Sequence, residues 1–316
     1  PYTTLFRSRL ARSVWDAGDG HRLRLTLDAS ETEAETDVLS ARTDSVVFGR
    51  RIRVLSLLAD DRKSRVRFSL DGEHAAGLAF ADTLRWQWHQ QDSETAQWTF
   101  EERATVAAAG LVSPVRRERQ FNFFQREQGL DLSAQKALGD IGLLYGLQAT
   151  ESDLRQKRDG RAINRVTGAI SSTIFPDVFP VRDFPLSRTR EWGLFAQADL
   201  PLLNGDLRLV PALRYDDYRL DPRMDAIFAA DNPGFVPVTL DAQRWSPKLG
   251  LVWSVAPSLV AYANLATGFR APPYDDANLG FTNVASGYAA LPNPDLRPET
   301  SRGFDVGLRG DRGGFE

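Results

Sequence analysis

Between Arg270 and Tyr288 the chain gathers most of its candidate binding chemistry, in the stretch RAPPYDDANLGFTNVASGY. Arg270 brings a rigid fork of hydrogen-bond donors. Tyr274 and Tyr288 bring aromatic rings with polar tips, and Asp275 and Asp276 bring carboxylates. With Asn278 those carboxylates form an oxygen-rich set of the kind that holds Ca²⁺, although the ordinary state of loop carboxylates is solvation, with Arg270 pairing to one of them. Covalent chemistry finds less support. Asp60–Asp61, Asp216–Asp217 and Asp275–Asp276 are adjacent pairs, and neighbours on a strand point to opposite faces, so adjacency does not converge two carboxylates for acid–base work. No phosphate-binding loop, dinucleotide-binding glycine turn, HExxH or GxSxG occurs. The lack of cysteine removes disulfides, thiolate metal sites and cysteine nucleophiles. The residues describe a binding protein and not an enzyme.

The elements that must position this loop are strands. In AYANLATGFRAPPYDD, Tyr262, Asn264 and Ala266 alternate with Ala263, Leu265 and Thr267 before Pro272 and Pro273 end the ladder. Pro292, Pro294 and Pro298 stiffen the return in the same way. The segments RVRFSL, TLRWQWHQQ, IGLLYGLQATES, DLRLVPALRYDDYRL and SPKLGLVWSV alternate apolar with polar residues, the period-two signature of half-buried strands. Many reach the roughly nine to eleven residues that a tilted strand needs to cross a bilayer. Connections alternate as well. ALGD, PLLNGD and VAPS are short, whereas 153–189, 221–244 and 269–300 are long, the asymmetry of outer-membrane barrels. An arginine facing lipid at the bilayer midplane costs about 2–4 kcal/mol, so Arg208 and Arg214 are assigned to the lumen side. Trp192, Trp245 and Trp253 lie where an interfacial aromatic girdle would be, or, in a soluble β-sandwich, where core aromatics would be. ETEAETD reads as a solvated acidic loop, and residues 40–64 mix strand and helix signals.

Composition narrows the class. No apolar run approaches the 18 residues of a spanning helix, and mean hydropathy is -0.34, which leaves a β-barrel as the membrane option. A net charge of -3 and a pI near 5.8 give no basic footprint for nucleic acid. PYTTLFRS, residues 1–8, matches one reading frame of a common short-read sequencing adapter and is set aside as an assembly artefact, leaving 9–316 to carry the fold. Both ends read as cut, and the chain as a fragment that would aggregate alone in water through its open strand edges.

GFRAPPYDDANLGF followed by NPDLRPETSRGFDVGLRG resembles the TonB-dependent outer-membrane receptors, specifically the haemoglobin/transferrin/lactoferrin and haem branch. The likeness is clearest over 170–310, where WSPKLGLVWSVAPSLVAYANLATGFRAP and NPDLRPETS look like two boxes of that family in the right order. The resemblance implies an all-β fold, a portion of a large antiparallel transmembrane β-barrel of about 22 strands, with the N-terminal plug domain missing from this chain. It implies the bacterial outer membrane as location, uptake energised by the TonB complex through the plug, and outer-membrane lipid as surroundings. The implied cargo is haem, a haemoprotein or another iron carrier, with no covalently bound cofactor. A siderophore receptor of the same fold, a passive channel or an adhesin barrel are the alternatives. By the same resemblance the extracellular loop places Arg270, Tyr274, Asp275, Asp276 and Tyr288 at the ligand. Haem receptors of this branch use a histidine between the two boxes, and residues 273–292 contain none; Tyr274 or Tyr288 would have to ligate iron instead. His21, His74 and His89 all lie early, the first two as turn or loop residues and the third at a strand end.

Overall fold

Alternation along the sequence becomes one long antiparallel ladder in the computed structural model, which describes residues 2–47, 49–108, 110–283, 287–290, 293 and 295–310. Its first half comprises β1 (Tyr2–Gly18), β2 (His21–Asp37), β3 (Asp44–Val47), β4 (Arg50–Ala75), β5 (Thr83–Ala107), β6 (Gly110–Leu138) and β7 (Ile141–Asn164). Three short strands follow in the next connection, β8 (Ile170–Ser171), β9 (Thr173–Ile174) and β10 (Asp177–Val178). The second half comprises β11 (Leu186–Leu202), β12 (Leu207–Arg223), β13 (Leu240–Ala256), β14 (Leu259–Arg270) and β17 (Glu299–Gly310). Between them lie a helix, α1 (Ala226–Asp231), and a small hairpin, β15 (Phe281–Asn283) with β16 (Tyr288–Ala290). The main order is β1-β2-β4-β5-β6-β7-β11-β12-β13-β14-β17, and among the described residues nothing pairs β1 to β17. The sheet is therefore an open arc and not a closed barrel.

Register separates the two faces. Directly opposed residues point the same way, and one row runs Leu23, Gly72, Trp86, Leu132, Leu147, Leu194, Tyr215 and Trp245 across eight strands. Gly72 is required there, because a Cβ would sit 2.2 Å from the Trp86 indole nitrogen. Apolar residues on this face stay uncovered, as at Leu194 (49% exposed) and Phe304 (68%). Trp192, Tyr215 and Trp245 form an aromatic row with centroids 5.4 and 4.9 Å apart, and Trp253 lies eight residues along β13 at the other margin. Those eight steps span roughly 26 Å of strand, the order of an outer-membrane apolar belt. The opposite face carries Gln148, Lys248 and Asn264 together with Arg208 and Arg214, which places both arginines away from the belt as expected. Arg208 pairs with Asp199, and Arg214 holds Asp216 and Gln148, each at 2.6 Å.

Several elements differ from the sequence reading. ETEAETD is no loop: it completes β2, paired residue for residue with Leu58–Ser64 of β4. Residues 40–64 resolve into the β3–β4 hairpin and the outer half of β4. Arg51 and Arg53 both pair to Asp44 there, at 2.7 Å each. The strand read at 83–91 continues without a break to Ala107, and β7 runs on to Asn164 before its loop begins. Beyond the belt β5 continues from Gln90 to Ala107, roughly 55 Å at about 3.3 Å per residue. His21 and His74 are cross-strand partners in β2 and β4, Nδ1 to Nδ1 at 3.2 Å, and His89 lies inside β5, buried against Glu127 at 3.3 Å. Residues Thr3–Ser8 pair with β2, from Glu35 to Ser30.

Candidate functional site

Three connections on the long-loop side fold inward over the polar face. The first, after β7, lays Ile174, Phe179 and Val181 against Ala162. A Cβ on Gly160 would come within 2.7 Å of the Phe179 ring, so glycine at that position lets the loop lie flat on the strand. The loop is fastened by Arg158, which is paired to Asp177 at 2.9 Å and Asp183 at 2.7 Å. Burial pushes the Asp183 carboxyl above its usual range despite the guanidinium beside it.

The second connection starts with α1, whose N-cap Asp225 accepts from the Phe228 amide at 3.0 Å. Arg182 of the first loop reaches Asp225 at 2.9 Å, and the Arg182 amide donates to Asp231 at 3.1 Å. Burial also raises the Asp231 carboxyl. The third connection locks onto both. The buried Asn278 side chain accepts from the Val238 amide at 2.7 Å and donates to the Val238 carbonyl at 2.9 Å, and the Gly280 amide donates to the Asp183 carbonyl at 2.7 Å. Ala277 closes a small core with Tyr218, Leu220, Leu240 and Ala242, with Phe269 and Tyr274 packed at its edge.

Under this roof lies a cavity of about 820 Å³. Its walls come from β6, β7, β11, β12, β13 and β14, so the sheet curls around it. Gln125, Gln148, Thr150 and Ser246 give neutral hydrogen-bonding groups, Glu127, Glu191 and Asp216 give carboxylates, and Arg214 answers them. The chemistry such a lining offers is many directed hydrogen bonds to a polar surface. Higher on the same face, Arg103 and Arg119 share Glu101, while Arg117 has neither hydrogen bond nor ion pair among the described residues. Burial, with Arg103 nearby, brings the Arg117 guanidinium down to about 10.

The residues singled out from sequence do not form one cluster. Arg270 lines the cavity and is exposed, pairing across the ladder with Glu299 at 3.6 Å and not with Asp275 or Asp276. Tyr274 lines it too, stacked on Phe123 at 6.4 Å and edge-on to Phe184 at 5.5 Å. Burial, and Asp275 beside it, push the Tyr274 phenol far above its ordinary range, so it stays protonated. Asp275 is raised by burial and by Asp276. Tyr288 sits apart on the small hairpin against Phe281 at 6.0 Å. Asn278 is committed to Val238, so the oxygen set imagined around Asp275 and Asp276 does not assemble, and among the described residues no group of three or more acidic or histidine side chains is placed to hold a metal ion. Pro292 and Pro294 lie outside the described residues. Arg158 and Arg182 escaped the sequence reading, and Asn278 was read as a cation donor and not as the lock between loops; for Arg182 a trace lay in FPDVFPVRDFP, where charged residues sit between apolar ones.

The family profile described as "TonB dependent receptor-like, beta-barrel" matches residues 8–316. The chain belongs to that family. Its place is accordingly the bacterial outer membrane, and the receptor class is non-catalytic. The iron-regulated outer membrane virulence protein of Vibrio cholerae serotype O1 is 34% identical over 65 residues, 21% of this chain and 10% of that protein. The copper transporter OprC superposes with a TM-score of 0.53 at 14% identity over 98% of this chain and 51% of its own. The P. aeruginosa receptor FpvA, in its pyoverdine–iron complex, gives 0.53 at 13% identity over 98% of this chain and 40% of its own. This TonB-receptor chain thus spans about half the length, or less, of these structures, and the likeness establishes the barrel fold. The haem branch is not singled out by these relatives.

Proposed function

We propose that this chain is the cargo-facing barrel segment of an outer-membrane receptor that takes up a ferric chelate of the siderophore class, energised through the TonB complex by way of a plug domain. The cavity beneath the interlocked loops carries the reading: about 820 Å³ of polar-walled space whose aromatic roof is already committed to packing. A chelate brings its own oxygen donors to iron and asks the protein only for hydrogen bonds and a shaped wall. Haem asks for an axial ligand, and the protonated, stacked Tyr274 is poorly prepared to give one. The names of the relatives point the same way, with iron regulation in one and a pyoverdine–iron complex in another.

The test is a titration of the chain in lipid nanodiscs with ferric catecholate, hydroxamate and citrate chelates, and with haemin, read by tryptophan fluorescence. Saturable quenching by at least one chelate and none by haemin is expected. Haemin binding with a Soret shift that Tyr274→Phe abolishes, and no chelate binding, would replace this reading with the haem receptor.

A further inference from the structure

At the short-turn end of the sheet, outside the cargo cavity, two imidazoles face each other across the ladder. His21 opens β2 directly after the Asp19–Gly20 turn, and its register partner is His74, the last residue but one of β4. Leu23 and Gly72 are opposed two residues further in, so both histidines share the outer face with the apolar belt and lie at its margin. His21 is exposed and His74 half-buried. The nearest charged neighbours in register, Arg22, Glu73 and Arg85, point to the opposite face.

The backbone holds the pair in place. The Ala75 amide donates to the Gly20 carbonyl at 2.9 Å, which ties the turn to the end of β4. The ring planes are 45° apart, and Nδ1 lies 3.2 Å from Nδ1. On the far side of His74 the Trp86 indole N–H donates to Nε2 at 3.0 Å. A neutral imidazole that accepts at Nε2 carries its proton on Nδ1. His74 therefore donates to His21 Nδ1, and His21 keeps its own proton on Nε2.

The same spacing suits a metal. Two metal–imidazole bonds of about 2.0–2.1 Å, at angles between a right angle and tetrahedral, set their nitrogens roughly 2.9–3.4 Å apart. The pair already stands at that separation, and the exposure of His21 leaves room for water to complete the coordination.

We propose that His21 and His74 form a two-imidazole site for a divalent transition metal, Cu²⁺ above the others, bound through both Nδ1 atoms with water in the remaining positions. On binding, the proton on His74 Nδ1 passes through water to Nε2, so both rings stay neutral and no net proton is released. That Nε2–H then faces the Trp86 N–H, donor against donor, and the indole contact is given up. Trp86 thus opposes the metal, and the bridge pins the start of β2 to the end of β4. The proposal is independent of the cargo.

The test is a Cu²⁺ titration of the chain in lipid nanodiscs, with affinity from chelator competition and ligands from electron paramagnetic resonance. The wild-type chain is expected to bind a single Cu²⁺ whose spectrum carries the splitting of two imidazole nitrogens. His21→Asn, at an exposed position that leaves the ladder intact, should show one nitrogen and bind about a hundredfold more weakly, the gain that two linked donors give. Trp86→Phe should bind several-fold tighter, the opposite of what a merely structural indole would do. Unchanged binding in His21→Asn would put the copper on the terminal amine or surface carboxylates and overturn the proposal. So would a wild-type spectrum of oxygen donors alone, and so would weaker binding in Trp86→Phe.

Discussion

The two halves of the sheet solve the outer side of the membrane differently. Strands β4 to β7 run for 24 to 29 residues and keep pairing far beyond the belt, β5 and β6 up to Ala107 opposite Gly110. Strands β11 to β14 and β17 stop after 12 to 17 residues, and their connections fold back over the polar face. The first half is a wall held by ladder hydrogen bonds and cross-strand ion pairs. The second half supplies a roof held by a few buried side chains. The cavity exists because wall and roof meet, where Phe123 of β6 packs on Tyr274 from the loop after β14. Binding chemistry can therefore be altered at the roof without disturbing the wall.

The sharpest way to break that contrast is to unfasten the first loop. Arg158→Ala leaves the half-buried Asp177 and Asp183 without their cation, and loss of one partner of a buried ion pair costs about 3–5 kcal/mol. Hydrogen exchange should speed up over residues 170–183 and stay slow in β5 and β6. Uniform acceleration would mean that wall and roof are one cooperative unit. Next comes the belt: Leu194→Arg should cost about 2–4 kcal/mol in bilayer folding titrations, whereas Gln148→Arg, on the other face of the adjacent strand, should cost little. Equal penalties would erase the distinction between faces.

Asn278→Ala removes both bonds to Val238 from a fully buried side chain and should cost about 1–3 kcal/mol of roof stability, measured as protease sensitivity of the 271–280 segment. The smallest effect concerns pH. Asp275 has its folded pKa raised by burial, so the folded roof binds the proton more tightly than the open one. Its ionisation penalty is present at neutral pH and is relieved as pH falls through the raised value toward the ordinary carboxylate range. Exchange of the 271–280 amides, corrected for intrinsic rates, should therefore slow modestly between pH 7 and pH 4, and Asp275→Asn should flatten the profile. Faster exchange in acid would point to another carboxylate.

The belt was legible in the sequence because lipid on one side and polar groups on the other impose strict alternation, as in Leu249, Leu251 and Trp253 against Lys248, Gly250 and Ser254. Above the belt water wets both faces and the alternation fades, so the outer parts of β2 and β7 read as loops and that of β4 as mixed strand and helix signals. The inward fold of the loops was not legible at all. Arg158 meeting Asp183, and Asn278 meeting Val238, join residues 25 and 40 positions apart through contacts that no local pattern encodes. Of the five residues marked in advance, Arg270 and Tyr274 line the cavity because they sit where β14 ends, a boundary that Pro272 and Pro273 announced.

The most direct measurement places a nitroxide at Ser246, on the cavity side of β13, or at Leu249, on its outer face, in nanodisc-embedded protein. Ferric chelate is itself a paramagnetic relaxant. The expected result is strong, saturable broadening at position 246 by a bound chelate, with position 249 responding only to lipid-soluble oxygen. Broadening at position 249 by the chelate, or a position 246 relaxed by oxygen alone, would contradict the assignment of the polar face to cargo and the apolar face to lipid.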